Sequence, residues 1–358
     1  MPKNIYNFGA GPATLPKIVI EKIANHLDNF SDGMSVMEIS HRSMAFRDFA
    51  SQSEENLRSL LQIDDSYAVL FLQGGATHQF SMVPMNLANQ GRVDYLITGA
   101  WSKKAAEYAA YHSILNIVAD SSDTNFNDVS NQRNWVHSKD AQYFYYCANE
   151  TIHGLEIHQT PEVSVPIVSD MSSTLCTRPI DIEKYDLIFA GAQKNLGIAG
   201  LTIVIVKKDL IKNKAKDLPP LMRFESHYKD QSMLNTSPVF SWYVAGLVFE
   251  WILEQGGLDA MSRLSENKAS LIYNYIDNSI LYQNNVNPKF RSWVNIPFTM
   301  TQDGLEDKFL ETSSDAGFKN LKGHRTVGGM RASVYNAMPI KAITELIAFM
   351  QDFENNNL

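Results

Sequence analysis

The chain has little that suits nucleic acid, membranes or an oxidising compartment. Only two of its 358 residues are cysteine, Cys147 and Cys176. That is too few for a disulfide framework and fits a reducing compartment. There is no basic excess: 31 Lys and Arg against 39 Asp and Glu leave a net charge of −8, which argues against nucleic acid or an anionic membrane as the main partner. A small anionic ligand is not excluded, because it feels local rather than total charge. No apolar run approaches the length of a membrane span. Met1-Pro2-Lys3-Asn4 leads straight into globular-looking sequence without the apolar core of a signal peptide. The cytoplasm is the expected location, and no metal is expected. Repeats and low-complexity tracts are lacking too, apart from Asn355-Asn356-Asn357 near the end. What is present, 44% apolar and 20% charged residues, is ordinary for a globular enzyme with a sizeable core, and the length suggests about two domains.

Strand-like runs fall at 68–72, 93–98, 142–147, 165–169, 187–190 and 201–206. They are short, β-branched or aromatic, and alternate with helical patterns such as 102–111. That rhythm predicts an α/β fold with a mostly parallel sheet. Ser237-Pro238 opens a helix that continues to Leu253 and stops at Gln255-Gly256-Gly257. Beyond Gly257 the rhythm changes to helix 259–278, strand 292–300, helix 305–316, strand 331–335 and a last helix from Pro339 to near Phe353. The expectation is a large α/β/α domain over 13–257 and a smaller C-terminal α+β domain over 258–358, to which residues 1–12 return.

Chemistry gathers at the ends of the predicted strands. Lys194, in Ala190-Gly191-Ala192-Gln193-Lys194-Asn195, lies in the tight link between two core strands. Desolvation there disfavours its ammonium form and can make it a usable amine for Schiff-base chemistry; taken alone, it reads first as a snorkelling surface lysine, and its company reverses that. Gln73-Gly74-Gly75-Ala76-Thr77-His78 follows a strand and opens a helix, a setting that favours an anion but also describes a plain turn. Asp170 ends a strand, where a carboxylate can keep a pyridine nitrogen protonated; Asp170-Met171-Ser172-Ser173 also resembles a helix cap. Trp101 is a stacking platform or a core aromatic. Asn149-Glu150-Thr151 offers a hydroxyl and an amide, and Asn235-Thr236 suits a phosphate or a loop-to-helix cap. Taken in order, phosphate loop, aromatic, hydroxyl, aspartate and lysine fit a fold-type I pyridoxal-phosphate enzyme.

Longer motifs sharpen this: Asn7-Phe8-Gly9-Ala10-Gly11-Pro12, Ser35-Val36-Met37-Glu38-Ile39-Ser40-His41-Arg42, Gly191-Ala192-Gln193-Lys194-Asn195, Lys322-Gly323-His324-Arg325 and Gly328-Gly329-Met330-Arg331-Ala332-Ser333. On them the chain resembles, nearly end to end, the phosphoserine aminotransferase family of class-V, fold-type I enzymes. The resemblance implies pyridoxal 5'-phosphate as cofactor, carried by Lys194 as a Schiff base, with Gln193 near the ring hydroxyl, Trp101 stacked on the ring, Asp170 on its nitrogen and Thr151 nearby. It implies that Ala76 and Thr77 hold the phosphate, joined by Asn235 and Thr236 across a homodimer interface. The substrates it implies are L-glutamate and a phosphorylated three-carbon keto acid. Arg331 suits a bidentate grip on the α-carboxylate. His41, Arg42, His324 and Arg325 would meet the distal anion, the last two supplied across the interface. The implied product, O-phospho-L-serine, serves serine biosynthesis, with a phosphorylated threonine analogue in vitamin B6 synthesis as a second route. Thr77 stands where several bacterial relatives carry arginine, and Gly9-Ala10 where many carry Ser-Ser. A transaminase of unphosphorylated acids, a cysteine desulfurase and a non-catalytic relative are the rival readings.

Overall fold

The computed structural model describes residues 4–358; residues 1–3, which the expected small domain includes, lie outside the described residues. Seven strands make the central sheet: β1 (Tyr67–Gln73), β2 (Arg92–Ile97), β3 (Ile114–Asp120), β4 (Phe144–Cys147), β5 (Ile167–Asp170), β6 (Leu187–Gly191) and β7 (Leu201–Lys207). Their order is β1-β7-β6-β5-β4-β2-β3. Pairing is parallel from β6 through to β3, and β7 alone opposes its two neighbours, β6 and β1. Six carboxyl ends therefore share one edge, the edge at which open α/β sheets hold ligands.

The strands read as continuous apolar runs because both faces of the sheet are covered. Period-two alternation divides each run. Val69, Phe71, Ile188, Ala190, Ile203 and Ile205 enter one core, while Leu70, Leu72, Leu187, Phe189, Val204 and Val206 enter the other. The longer helices are α1 (Lys17–Asp28), α2 (Met44–Leu61), α3 (Gln79–Leu87), α4 (Ala100–Ala109), α5 (Val239–Glu254), α6 (Gly257–Asn278), α7 (Glu306–Ala316) and α8 (Ile340–Asn355). Helices α2 and α5 cover the first face, where the Trp242 ring stacks on Phe71 with centroids 4.3 Å apart. Ser43 caps α2 by accepting the Phe46 N–H at 3.3 Å, and the buried Phe46, Ala50, Leu57 and Leu61 recur at helical spacing. Helix α5 is buried all round from Ser241 to Phe249, as its strongly apolar composition there requires. Helices α3 and α4 cover the second face through Phe80, Val83, Ala105, Ala106 and Ala109.

A further core lies between α6, α8 and an antiparallel sheet of Tyr282–Gln283, β8 (Asn295–Met300) and β9 (Met330–Ser333). Phe8 belongs to this core, and the short strand Tyr6–Asn7 pairs in parallel with Phe318–Lys319. The sequence pattern passed over β3, an edge strand whose Ile114 and Ile117 are exposed and whose run Asn116 interrupts. Half-exposed edges lose the continuous apolar signal that marks central strands. No helix among the described residues is long and apolar enough to cross a membrane.

Candidate active site

The carboxyl edge is built strand by strand. After β1 the chain turns at Gly74, whose φ is +101° and where a Cβ would lie 2.1 Å from His78 Nδ1; only glycine fits there. The single turn Ala76–His78 follows, closed by the His78 N–H donating to Gly75 O at 2.9 Å. The N–H groups of Ala76 and Thr77 precede that first bond and meet no protein acceptor among the described residues. A Cβ built on Gly75 would touch nothing within 4 Å. Free donors beside open space at a helix start suit an anion such as a phosphate. Asn235 lines a cavity of about 480 Å³ together with Gly75, Thr77 and His78, while Thr236 is exposed.

After β2 the chain enters α4, and Trp101 is fixed there by a residue from elsewhere in the sequence. Glu150 has no exposed surface, and its carboxylate accepts the N–H groups of Trp101 (2.9 Å) and Ser102 (2.8 Å). It acts as the cap of α4 and complements the positive end of the helix. Burial raises its pKa, and the bonds from Ser102 and Trp101 oppose that rise. A Cβ on Gly99 would fall 2.5 Å from the Glu150 carboxyl carbon, so the carboxylate reaches the helix only over a glycine. The indole Nε1 of Trp101 is buried without a partner, and the ring centre lies 5.7 Å from Lys194 Nζ.

Lys194 sits in the link that joins β6 to its antiparallel neighbour β7. Its Nζ donates to Thr151 Oγ1 (2.6 Å) and Ser173 Oγ (3.0 Å), two hydroxyls themselves 2.8 Å apart. Burial pushes the Lys194 pKa down and the charge of Arg331 pushes the same way; Asp170, Cys147 and Glu150 pull it up. At the end of β5, Asp170 accepts both bonds from Ser172, N–H at 2.9 Å and O–H at 2.6 Å, on the same oxygen, Oδ1. The cap-like turn and a ligand-facing carboxylate are therefore compatible, since the turn uses one oxygen only. Burial raises the Asp170 pKa, opposed first by the charge of Lys194. The Gln193 carbonyl accepts the Ala13 N–H at 3.0 Å, and a Cβ on Gly11 would lie 3.4 Å from Lys194 Cγ. The Asn7–Pro12 motif thus packs over the lysine.

Arg331, on β9, reaches the Thr151 carbonyl only at 3.5 Å, and its Nε is buried without a partner. A guanidinium left unpaired beside Lys194 calls for a carboxylate. The His324 side chain is held by Thr326, Nδ1 to Oγ1 at 2.8 Å, and lies within electrostatic reach of His153. Burial, helped by that neighbour, pushes His153 down to about 4. His41 keeps a buried, unpartnered Nε2, and burial, then Arg42 and Arg47, lower its pKa. Arg42 and Arg325 are exposed. No hydrogen bond or ion pair joins His41-Arg42 to Lys194 or Arg331 among the described residues. The chain by itself assembles Thr151, Asp170, Trp101, Gln193, Lys194 and Arg331, and no hydrogen bond ties either His-Arg pair to that centre among the described residues. Sequence reading had no role for Glu150, Ser173 or Tyr335, whose contacts cross from one strand end to another.

A lone amine beside a buried carboxylate and an indole, next to a helix start with free N–H donors on an α/β sheet edge, defines a pyridoxal-phosphate-dependent transaminase of fold type I. Comparison with known proteins agrees: the family model described as Aminotransferase class-V matches residues 5–346. A phosphoserine aminotransferase from Pseudomonas fluorescens is 47% identical over 360 residues, covering 100% of each chain. Among solved structures, the phosphoserine aminotransferase of Bacillus circulans subsp. alkalophilus has a TM-score of 0.97 at 39% identity and covers 99% of each chain. A PLP-bound phosphoserine aminotransferase from Trichomonas vaginalis has a TM-score of 0.93 at 40% identity, covering 97% of this chain and 100% of that one. The chain belongs to the class-V aminotransferases and, within them, to the phosphoserine aminotransferases.

Proposed function

We propose that the protein transfers an amino group reversibly between L-glutamate and 3-phosphohydroxypyruvate, giving O-phospho-L-serine and 2-oxoglutarate. The observation that carries this reading is Lys194 Nζ held by Thr151 and Ser173, with Asp170 and Trp101 around it and an unpaired Arg331 within electrostatic range. The protein serves serine biosynthesis, and a phosphorylated threonine analogue of the B6 route has the same two anionic ends. We assign residues 13–257 to the cofactor-binding domain and 258–358 with 1–12 to the small domain. The separate core of α6, α8 and Phe8 supports that division.

The residues present fit pyridoxal phosphate. Ala76 and Thr77 would hold its phosphate, with Asn235 and Thr236 supplied across a homodimer interface. Trp101 would cover the ring, Gln193 would stand by the ring hydroxyl, Asp170 would face the ring nitrogen and Lys194 would bond the aldehyde. When bound, the cofactor supplies a sink for the electron pair left at the substrate Cα. Lys194 Nζ takes the Cα proton as general base and later returns one as general acid; its depressed pKa leaves more of the free amine for that work. The Thr151 and Ser173 hydroxyls aim the amine. Arg331 binds the α-carboxylate as a fork. His41, Arg42, His324 and Arg325 form the distal anion pocket, which serves the phosphate of one substrate and the side-chain carboxylate of the other.

Exposed Met37 (64%) and Met44 (78%) flank the segment that carries His41-Arg42 and support a homodimer that brings those side chains to a shared site. Both cysteines are free thiols, which supports the cytoplasm. Cys147 is buried and its thiol is pushed well up by burial, which disfavours a desulfurase.

Purified holoprotein should be yellow and should lose that colour with glutamate. Lys194→Ala should abolish turnover while leaving non-covalent cofactor uptake measurable by absorbance. Full activity in that variant would refute the assignment. Equal kcat/KM on phosphorylated and plain hydroxypyruvate would refute the phosphate pocket and favour a transaminase of unphosphorylated acids.

A further inference from the structure

Helix α6 buries a lysine within an apolar face. Lys268 has no exposed surface and lies beside Ala269 and one turn before Ile272. It donates to three main-chain carbonyls: Tyr335 O at 2.6 Å, Met338 O at 3.2 Å and Asn336 O at 3.5 Å. An ammonium has three N–H groups and no acceptor, so three carbonyls match the charged form. Burial acts the other way and pushes its pKa down to about 7. A buried ammonium is a costly way to fill space, and an apolar side chain of that volume would fill it without the cost.

The three carbonyls belong to the loop between β9 and α8, and that loop reaches Lys194 by two routes. The Asn336 N–H donates to Asn195 Oδ1 at 3.0 Å, and its side-chain amide donates to Cys176 O at 2.7 Å; Asn195 adjoins Lys194. The Tyr335 hydroxyl donates to Ala10 O at 2.8 Å, accepts from Asn295 Nδ2 at 3.1 Å and is hydrogen-bonded to Ser173. Ser173 Oγ is one of the two acceptors of Lys194 Nζ. We propose that Lys268 is a positioning residue: it clamps the 335–338 loop and, through Tyr335-Ser173 and Asn336-Asn195, sets the place of the Lys194 amine. It touches neither substrate nor cofactor. The proposal rests on the reading of Lys194 as the cofactor lysine.

Lys268→Met keeps the stem and volume and removes the donors. In the holoenzyme, kcat should fall about tenfold or more while the KM for glutamate stays within about threefold. The colour should persist, with its pH midpoint moved upward by about half a unit or more as water reaches the Lys194 nitrogen and favours its charged form. Lys268→Gln, which keeps two donors without the charge, should restore part of both. A merely structural lysine would lower the unfolding midpoint while leaving kcat per folded enzyme and the colour midpoint unchanged, and that result overturns the proposal. Should Lys268→Met fail to fold, Tyr335→Phe cuts the phenol route with Lys268 intact and must shift the colour midpoint in the same direction; an unmoved midpoint overturns the proposal equally. Wild-type protein that takes up no colour with pyridoxal phosphate would instead refute the role of Lys194.

Discussion

Gly99 offers the sharpest test of how the cofactor face is built, because its requirement comes from a single distant side chain. Its φ of 170° is extended backbone open to any residue, so conformational preference does not demand glycine. Space does. An alanine methyl would sit 2.5 to 2.6 Å from three atoms of the Glu150 side chain, and that carboxylate holds the N–H groups of Trp101 and Ser102. Gly99→Ala must either strain the contact, at about 1–3 kcal/mol, or expel Glu150 and lose two charge-assisted bonds at about 1.5 kcal/mol or more each. The first route thus costs about 1–3 kcal/mol and the second about 3 kcal/mol or more. Glu150→Ala alone leaves the same two donors uncapped at a similar cost. Once the carboxylate is gone the alanine methyl has room, so the double variant should cost less than the sum by at least about 1 kcal/mol. Urea unfolding of the four proteins without cofactor measures the cycle, and Trp fluorescence reports whether the indole moves. The cofactor should also leave both single variants faster than wild type. Costs that add to within about 0.5 kcal/mol would refute the steric account and leave Gly99 without a reason.

Asp170→Asn keeps the Ser172 bonds in reach but removes the charge, so kcat should fall by about 100-fold or more; with a costly buried carboxylate gone, the unfolding midpoint should hold or rise, and a fall of several degrees would contradict the burial argument. Arg331→Lys swaps a fork for a point charge, so the KM for glutamate should rise at least about tenfold with the colour intact; an unchanged KM would remove Arg331 from the carboxylate site. Burial keeps His153 neutral down to about pH 4 in the fold, whereas the unfolded chain takes up that proton near pH 6.5. The unfolded state therefore binds more protons between those values, and stability falls as pH drops through that window, by at most about 3 kcal/mol from this residue. His153→Asn should flatten that part of the urea-midpoint profile, and parallel wild-type and variant profiles would refute it.

Much of the fold was legible because the strands that matter are central. Runs such as Leu201–Lys207 are buried on both faces and advertise themselves by composition, so six of the seven strands, and the groups placed at their ends, could be read directly. Edge strand β3 could not, for half of it faces solvent. Within the candidate site, strand-end logic reached Lys194, Asp170, Trp101 and Thr151 but not what holds them. Glu150 caps α4 only because β4 lies directly beside β2 while β3 takes the outer edge; sequence order places β3 between them. Tyr335 touches Ser173 only because the segment after β9 folds back over the sheet edge. Strand order and the docking of that segment are set by long-range packing, which leaves no local period to detect. The same limit applies to His41, Arg42, His324 and Arg325, whose proposed roles rest on the resemblance. The candidate reactive residues are thus marked by where a strand ends, and the residues that hold them are marked only by which strand lies next door. Variants of the second group, such as Gly99, Glu150 and Lys268, are where the arrangement itself, rather than its inventory of reactive groups, is put to the test.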